Sequence, residues 1–340
     1  MRKGLWLFWT LLAAIFLLSA CGAKSQEDVA KGLQKKVGDL KGYKAKAEMT
    51  LTVGSEPQSY SIDIWHNKPG MYRVHLKNEK KDQSQMILRN KSGVYVLTPA
   101  LNKSYKFQSE WPQNSSQAYL YESLVKDIKE DKEAKFKSTK EHYVFETKTR
   151  YQNSKMLPTQ EIVFNRKTLE PISVKVMDTD QNPVVTVKFT KMDFDAKFDK
   201  DAFETKKNMT SAQLEVPVLA NEGNREFAVR YSLADIPGVT LHEEKTVDTE
   251  NGKRVILTYS GGDKSFTLIQ EKATVIPATA MEVIEVNGDM VDLGNAIGAM
   301  TANSVVWSEN GVDYFLASND LTQEELVMVA RSVQEAAASK

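Results

Sequence analysis

Ile64-Trp65-His66-Asn67-Lys68-Pro69-Gly70-Met71-Tyr72-Arg73-Val74 is the stretch that decides the fold. An apolar strand end runs into a turn carried by Asn, Pro and Gly, and alternation resumes at Tyr72, Val74 and Leu76, so the stretch predicts two antiparallel strands. Upstream, Ala45, Ala47, Met49, Leu51 and Val53 alternate with Lys46, Glu48, Thr50 and Thr52, and Tyr60, Ile62 and Ile64 alternate with Ser61, Asp63 and Trp65. Period two means half-buried strands, here joined through the turn Gly54-Ser55-Glu56-Pro57. Short strands continue at Met86 to Leu88 and at Val94 and Val96. One helix precedes them all: Val29, Leu33, Val37 and Leu40 recur at helical spacing behind acidic Glu27 and Asp28. A helix followed by a run of antiparallel strands, with no parallel crossover, is an α+β arrangement.

The pattern continues downstream. Residues 115–131 read as a helix with Tyr121, Leu124, Val125 and Ile128 on one face, and strands are expected at 143–147, 162–164, 172–176 and 184–189. Residues 206–220 look like a boundary. Beyond it, strands are expected at 227–231, 239–242, 255–259, 266–269, 290–293, 305–307 and 312–316. A final helix is announced by Thr322 with Glu325 as a capping box and by Leu321 with Leu326 as a staple.

These residues carry a resemblance. The first helix, the hairpin with Trp65, Lys68, Pro69 and Tyr72, the strand ending in Leu97-Thr98-Pro99, the turn Phe164-Asn165-Arg166-Lys167-Thr168-Leu169-Glu170-Pro171 and the closing segment Phe198 to Phe203 together resemble the LolA/LolB family. The resemblance implies an unclosed antiparallel β-barrel wrapped around helices, with an apolar cavity for acyl chains, followed here by a smaller antiparallel sheet domain with a C-terminal helix. Lys68 stands where the soluble carriers have an Arg that latches the lid, and Arg and Lys are not interchangeable where a planar donor fork is needed.

The N-terminus decides where the fold resides. Arg2 and Lys3 precede an apolar run from Leu5 to Leu18, the order of a secretory signal peptide, and the run is short of the roughly 20 residues a transmembrane helix needs. Leu18-Ser19-Ala20-Cys21-Gly22 resembles the bacterial lipobox, which implies lipid attachment at Cys21 and anchoring at the outer face of the cytoplasmic membrane. With the two regions in this order behind a lipobox, the chain resembles the YdcC-like family of sporulation and germination lipoproteins of spore-forming Gram-positive bacteria. The expected division is a signal peptide over 1–20, lipidated Cys21 and tether over 21–26, a LolA-like domain over 27–208, a linker over 209–220 and a small α+β domain over 221–340.

Composition narrows the function. Cys21 is the only cysteine in 340 residues, which removes disulfide frameworks, thiolate zinc sites and cysteine nucleophiles. With 45 basic and 45 acidic residues there is no basic excess for a nucleic acid partner. His242-Glu243-Glu244 lacks the second His of a zinc-protease helix, Thr246 standing in its place, so no metal is expected there. Asp178-Thr179-Asp180 lacks the Gly and Glu of a calcium loop. No Gly-x-Ser-x-Gly elbow or singled-out carboxylate pair is present, and the mixed charge of Lys126 to Lys137 reads as a solvated helix end. No cofactor and no enzyme activity are expected.

One constellation is a candidate ligand groove: Trp65, Met71, Tyr72, Met86, Tyr95, Tyr105, Phe107 and Trp111, since Met and aromatic side chains adapt to apolar ligands. As plain core the same residues need no ligand. The expected partners are the membrane through Cys21 and a protein of the cell envelope or spore cortex machinery. An acyl chain or lipoprotein held in the barrel is the alternative.

Overall fold

The structure, a computed structural model, describes residues 24–52, 57–78, 83–151, 154–215, 227–249, 252–276, 282–294 and 296–335. The leader, Cys21, the turn 54–56 and the segment 216–226 lie outside the described residues.

Helix α1 (Gln26–Asp39) begins at a capping box, the Ser25 hydroxyl accepting from Asp28 N while the Asp28 carboxylate accepts from Ser25 N. Strands β1 (Gly42–Leu51), β2 (Gln58–Asn67), β3 (Met71–Asn78), β4 (Gln83–Asn90), β5 (Gly93–Thr98) and β6 (Lys103–Phe107) follow, then helix α2 (Tyr121–Glu130). Strands β7 (Lys135–Ser138), β8 (His142–Lys148), β9 (Thr159–Asn165), β10 (Pro171–Met177) and β11 (Pro183–Asp193) lead to helix α3 (Thr205–Glu215). Each of these strands pairs with its neighbour in sequence except at α2; there β11 closes on β1 instead, and β6 and β7 stay apart at the two ends. The result is an unclosed antiparallel barrel. Its concave face buries Tyr43, Ile62, Ile64, Val74 and Phe164 against Val29 and Leu33 of α1 and Leu124 and Ile128 of α2.

Two expectations are corrected here. The helix expected over 115–131 starts at Tyr121, because the preceding residues fold back and cap it: the Gln117 backbone N–H donates to Ser123 Oγ at 2.8 Å. Residues 209–215, expected within a linker, belong to α3, which buries Met209 and Ala212 on the convex face of the sheet. Arg73 fixes that helix by donating to Asn208 Oδ1 at 2.8 Å and to Asp63 at 2.7 Å. With helices on both sides, Met86, Ile87 and Leu88 of β4 are all fully buried. Each such burial is worth about 1.5–3 kcal/mol, and β4 reads as a continuous apolar run for the same reason.

The second half contains β12 (Arg230–Ser232), β13 (Thr240–Thr249), β14 (Gly252–Gly261), β15 (Lys264–Lys272), β16 (Glu282–Val286), β17 (Asp289–Asp292), β18 (Ile297–Met300), β19 (Ser304–Glu309) and β20 (Val312–Ala317). Helix α4 (Gln323–Arg331) and β21 (Val333–Glu335) end the described chain. Seven strands form the second sheet in the order β13-β14-β15-β20-β19-β18-β17, and α4 packs on one face of it. β12 pairs with β21, holding the two ends of this half together. β16 leaves its neighbours and adds to the first sheet, parallel to β6, from Glu282 beside Lys103 to Val286 beside Phe107. One strand of the second half therefore completes the edge of the first.

The capping box expected at α4 is present, with Thr322 and Glu325 bonded reciprocally and Lys264 against the Glu325 carboxylate. Burial pushes that carboxyl's pKa up, but the bonds from Lys264 and Thr322 outweigh it and leave the group below its ordinary value. A depressed folded pKa means stability that is present above the unfolded value and lost as pH falls through the folded one. Glu325→Gln should therefore unfold about 0.5–1 kcal/mol more easily than the parent at pH 7, with the difference shrinking as pH falls through the carboxyl's depressed folded pKa. Urea titrations over a series of pH values from neutral into acid check this, and a difference that does not shrink as pH falls would contradict it.

Candidate functional site

The eight residues expected to line one groove do not meet. Period-two alternation sends Trp65 to the opposite face from Ile64 and His66, and Met71 to the opposite face from Tyr72. On the convex face Trp65, Met71, Met86 and Tyr95 pack with Phe198, Phe203 and Met209, the Trp65 and Phe198 rings 5.8 Å apart and Arg73 over the Trp65 ring at 4.3 Å. On the concave face Tyr72, Phe107 and Trp111 belong to the main core, with the Tyr72 and Trp111 rings edge-to-face at 5.5 Å. Tyr105 turns to the second half, its hydroxyl 3.2 Å from Ser308 Oγ. Across β2 to β5 both faces are covered by the chain's own side chains.

Lys68 reaches the C-terminal end of α1, where its ammonium donates to the carbonyls of Val37 and Gly38 at 2.9 and 2.7 Å. Those carbonyls have no partner inside the helix, so a cation there caps it and complements its dipole. A flexible single-point donor suffices for that role.

Carboxylates that sequence did not single out sit in the barrel. Glu122, at the start of α2, accepts from the Tyr43 hydroxyl at 2.9 Å, with His66 Nδ1 at 3.9 Å and His66 stacked on Tyr72 at 4.3 Å. Burial, and then the Glu122 charge, push both tyrosine hydroxyls well above their ordinary pKa, so they stay protonated as donors. The arrangement is a buried polar tie between α2 and strands β1 to β3. Asp178 holds a tight turn, its carboxylate accepting from the backbone N–H of Asp180 and Asn182 at 2.9 and 2.8 Å. His242 lies on exposed β13, and no group of His, Cys, Asp and Glu able to hold a metal occurs among the described residues. Among those residues no helix is long and apolar enough to cross a membrane.

The seam between the halves is polar and specific. Lys103 pairs with Asp313 at 3.1 Å, Ile276 N donates to Leu101 O at 3.1 Å, and Ile297 N donates to Gln85 Oε1 at 2.9 Å. A narrow cleft opens along it between Trp111, Gln117, Tyr119 and Tyr151 on one side and Val291, Asp292 and Arg331 on the other. Beyond the seam, the face of the second sheet opposite α4 carries exposed apolar residues: Phe315 at 41% and Val306 at 38% are direct cross-strand partners, with Ile269 beside Phe315 on β15.

The twelve-stranded open sheet around two helices is the α+β unclosed barrel the sequence led one to expect, with a second sheet appended to its edge. Residues 2–203 match the family described as sporulation protein YdcC-like. The chain is 54% identical to sporulation protein YdcC of Bacillus subtilis (strain 168) over 333 residues, 98% of this chain and 97% of that protein. It belongs to the YdcC-like family of sporulation proteins. Among solved structures it is similar to MucB in the Pseudomonas aeruginosa MucA/MucB complex, at 14% identity and a TM-score of 0.32 over 91% of this chain and 99% of that one. It is also similar to an outer membrane lipoprotein-sorting protein domain from Vibrio parahaemolyticus, at 12% identity and a TM-score of 0.32 over 54% of this chain and 99% of that one.

Proposed function

We propose that the chain is a lipid-anchored, non-catalytic docking protein of sporulation or germination, held at the outer face of the cytoplasmic membrane by Cys21 and engaging a protein of the envelope or spore cortex machinery. Membership of the sporulation family supports the setting. The observation that carries the docking role is an apolar pair on the second sheet: the inner face of the first sheet and its outer face over β2 to β5 are packed by the chain's own residues, whereas the second sheet leaves the cross-strand partners Phe315 and Val306 open to solvent on a firm scaffold. An exposed apolar patch on a rigid sheet suits a protein surface better than an acyl chain, which needs enclosure.

The test is a crosslinked pull-down of the anchored protein from sporulating cells, with Cys21→Ala as the unanchored control. A stoichiometric protein partner retained by the chain supports docking. Phospholipid or assorted lipoproteins recovered with no fixed partner would put the carrier reading in its place. Mass spectrometry of the N-terminal peptide from membranes reads the anchor separately.

A further inference from the structure

Strand register aligns a single apolar row across the second sheet. Residues directly opposite each other in an antiparallel pair share a face. Ile256 of β14 stands opposite Ile269 of β15, Ile269 opposite Phe315 of β20, and Phe315 opposite Val306 of β19. Ile256 and Ile269 are half-buried, and Phe315 and Val306 are exposed. At one end the row continues through Ala299 and Met290, which are buried in the main core of the first half. At the other it ends at exposed Lys245 on the edge strand β13. The open part therefore continues a face that already serves as an interface within the chain.

The row is one residue wide. On one side of it lie Thr258, Thr267, Ala317 and Ser304. On the other lie Arg254 and Glu271, paired at 2.6 Å, and then Asp313 and Ser308 at the seam. Strands about 4.8 Å apart spread the four apolar residues over about 14 Å. The apolar stripe of a helix repeats every three or four residues at about 1.5 Å each, so about ten residues cover about 15 Å and match the row. An extended segment repeats on one face at about 6.8 Å, and its fourth same-face residue overshoots the row by about 6 Å. A strand laid along β20 instead would meet Asp313 and Ala317 on either side of Phe315 and find no apolar line. The opposite face of this sheet already takes a helix, α4, through Leu326, Val329 and Ala330.

We infer that the partner presents an amphipathic helix, laid across the strands of the second sheet with its apolar stripe on Ile256, Ile269, Phe315 and Val306. The inference rests on the docking reading above and gives the partner a form: a helix of about three turns, apolar on one side, whose polar flanks meet the hydroxyl groups and the ion pair.

The test places a photoreactive benzophenone amino acid singly at positions 245, 315 and 306 of the full anchored chain in sporulating cells. After illumination, mass spectrometry maps the crosslinked residues of the partner. All three positions are exposed, so the core is left alone. From Lys245 to Val306 the row crosses four strand spacings, about 19 Å. Residues reached from positions 245 and 306 should therefore lie about thirteen apart in the partner's sequence, and position 315 should reach one about three or four from the latter. A separation of about six is that of a strand and overturns the helix. Contacts scattered over unconnected segments of the partner overturn it as well. Position 241, exposed but off the row, should give no crosslink, and a yield there equal to that at 315 overturns the placement. A partner recovered in the pull-down yet untouched from all three row positions overturns the inference and leaves the docking reading standing. Absence of any fixed protein partner removes both.

Discussion

Asp127→Ala should destabilise the protein by about 3–5 kcal/mol, the range found when one partner of a buried pair is removed. The Asp127 side chain is fully buried on the inner face of α2. It accepts from Arg150 Nε at 2.6 Å, from Gln160 Nε2 at 2.6 Å and from Ser116 Oγ at 2.9 Å. Three elements thus meet at one carboxylate: the segment before α2, the connection after β8, and β9. Truncation leaves the Gln160 and Ser116 donors buried without their acceptor, and each such loss costs about 1–3 kcal/mol. Arg150 loses less, because it is partly exposed and also lies 3.3 Å from Glu130. Burial holds the Asp127 carboxyl above its ordinary pKa even though Arg150 and the hydrogen bonds oppose the rise. Asp127→Asn, which keeps one acceptor oxygen and the shape, should therefore be less damaging than alanine. The urea midpoint should fall sharply for alanine with little change in slope. A loss under about 1 kcal/mol would mean that the network is ornamental.

Asp127 also marks where sequence reading stops. In sequence it lies inside the mixed-charge run Lys126 to Lys137, which looks like a solvated helix end, and most of that run is solvated. Nothing local distinguishes the one carboxylate that turns inward, because its partners are Arg150 and Gln160, far along the chain. Glu122 is invisible for the same reason. Features decided by neighbours in sequence were legible: the period-two strands, the stripe of α1 with Val29 and Leu33, and the capping box at Thr322 and Glu325. The family resemblance added the open barrel. The groove failed because Met, Tyr and Trp suit a packed two-sided sheet as well as a ligand surface, and alternation then divides them between faces. α3 was missed because its helical period is weak in sequence and its burial depends on a sheet built from residues more than a hundred positions earlier. The pairing of β16 with β6 joins segments 179 positions apart at Glu282 and Lys103, and an edge strand carries no local sign of which sheet it will join.

Phe315→Glu combined with Val306→Glu should reduce recovery of the protein partner at least tenfold while leaving the fold intact. The strand β20 separates the two roles residue by residue: Tyr314 and Leu316 are buried in the second core, and Phe315 between them is open. Val306 stands directly opposite on β19, so the two side chains form one apolar unit flanked by Ile269. Interface anchors of this kind are worth about 2 kcal/mol or more, roughly thirtyfold in affinity, and a carboxylate forced into a dry contact adds its own desolvation cost. The patch borders the seam, since Asp313 and Ser308, two residues from Phe315 and Val306, are held by Lys103 and Tyr105 of β6. A partner seated there would sense whether the two halves are docked, so Asp313→Ala should weaken capture as well, through the seam and not through contact. Leu241→Glu is the control: Leu241 is as exposed as Phe315 but lies on the edge strand β13, at the far side of the sheet from the seam. Capture lost in the double variant and kept in Leu241→Glu places the partner on this face. Capture unchanged in the double variant would remove the face from consideration and return attention to the lipid-carrier reading.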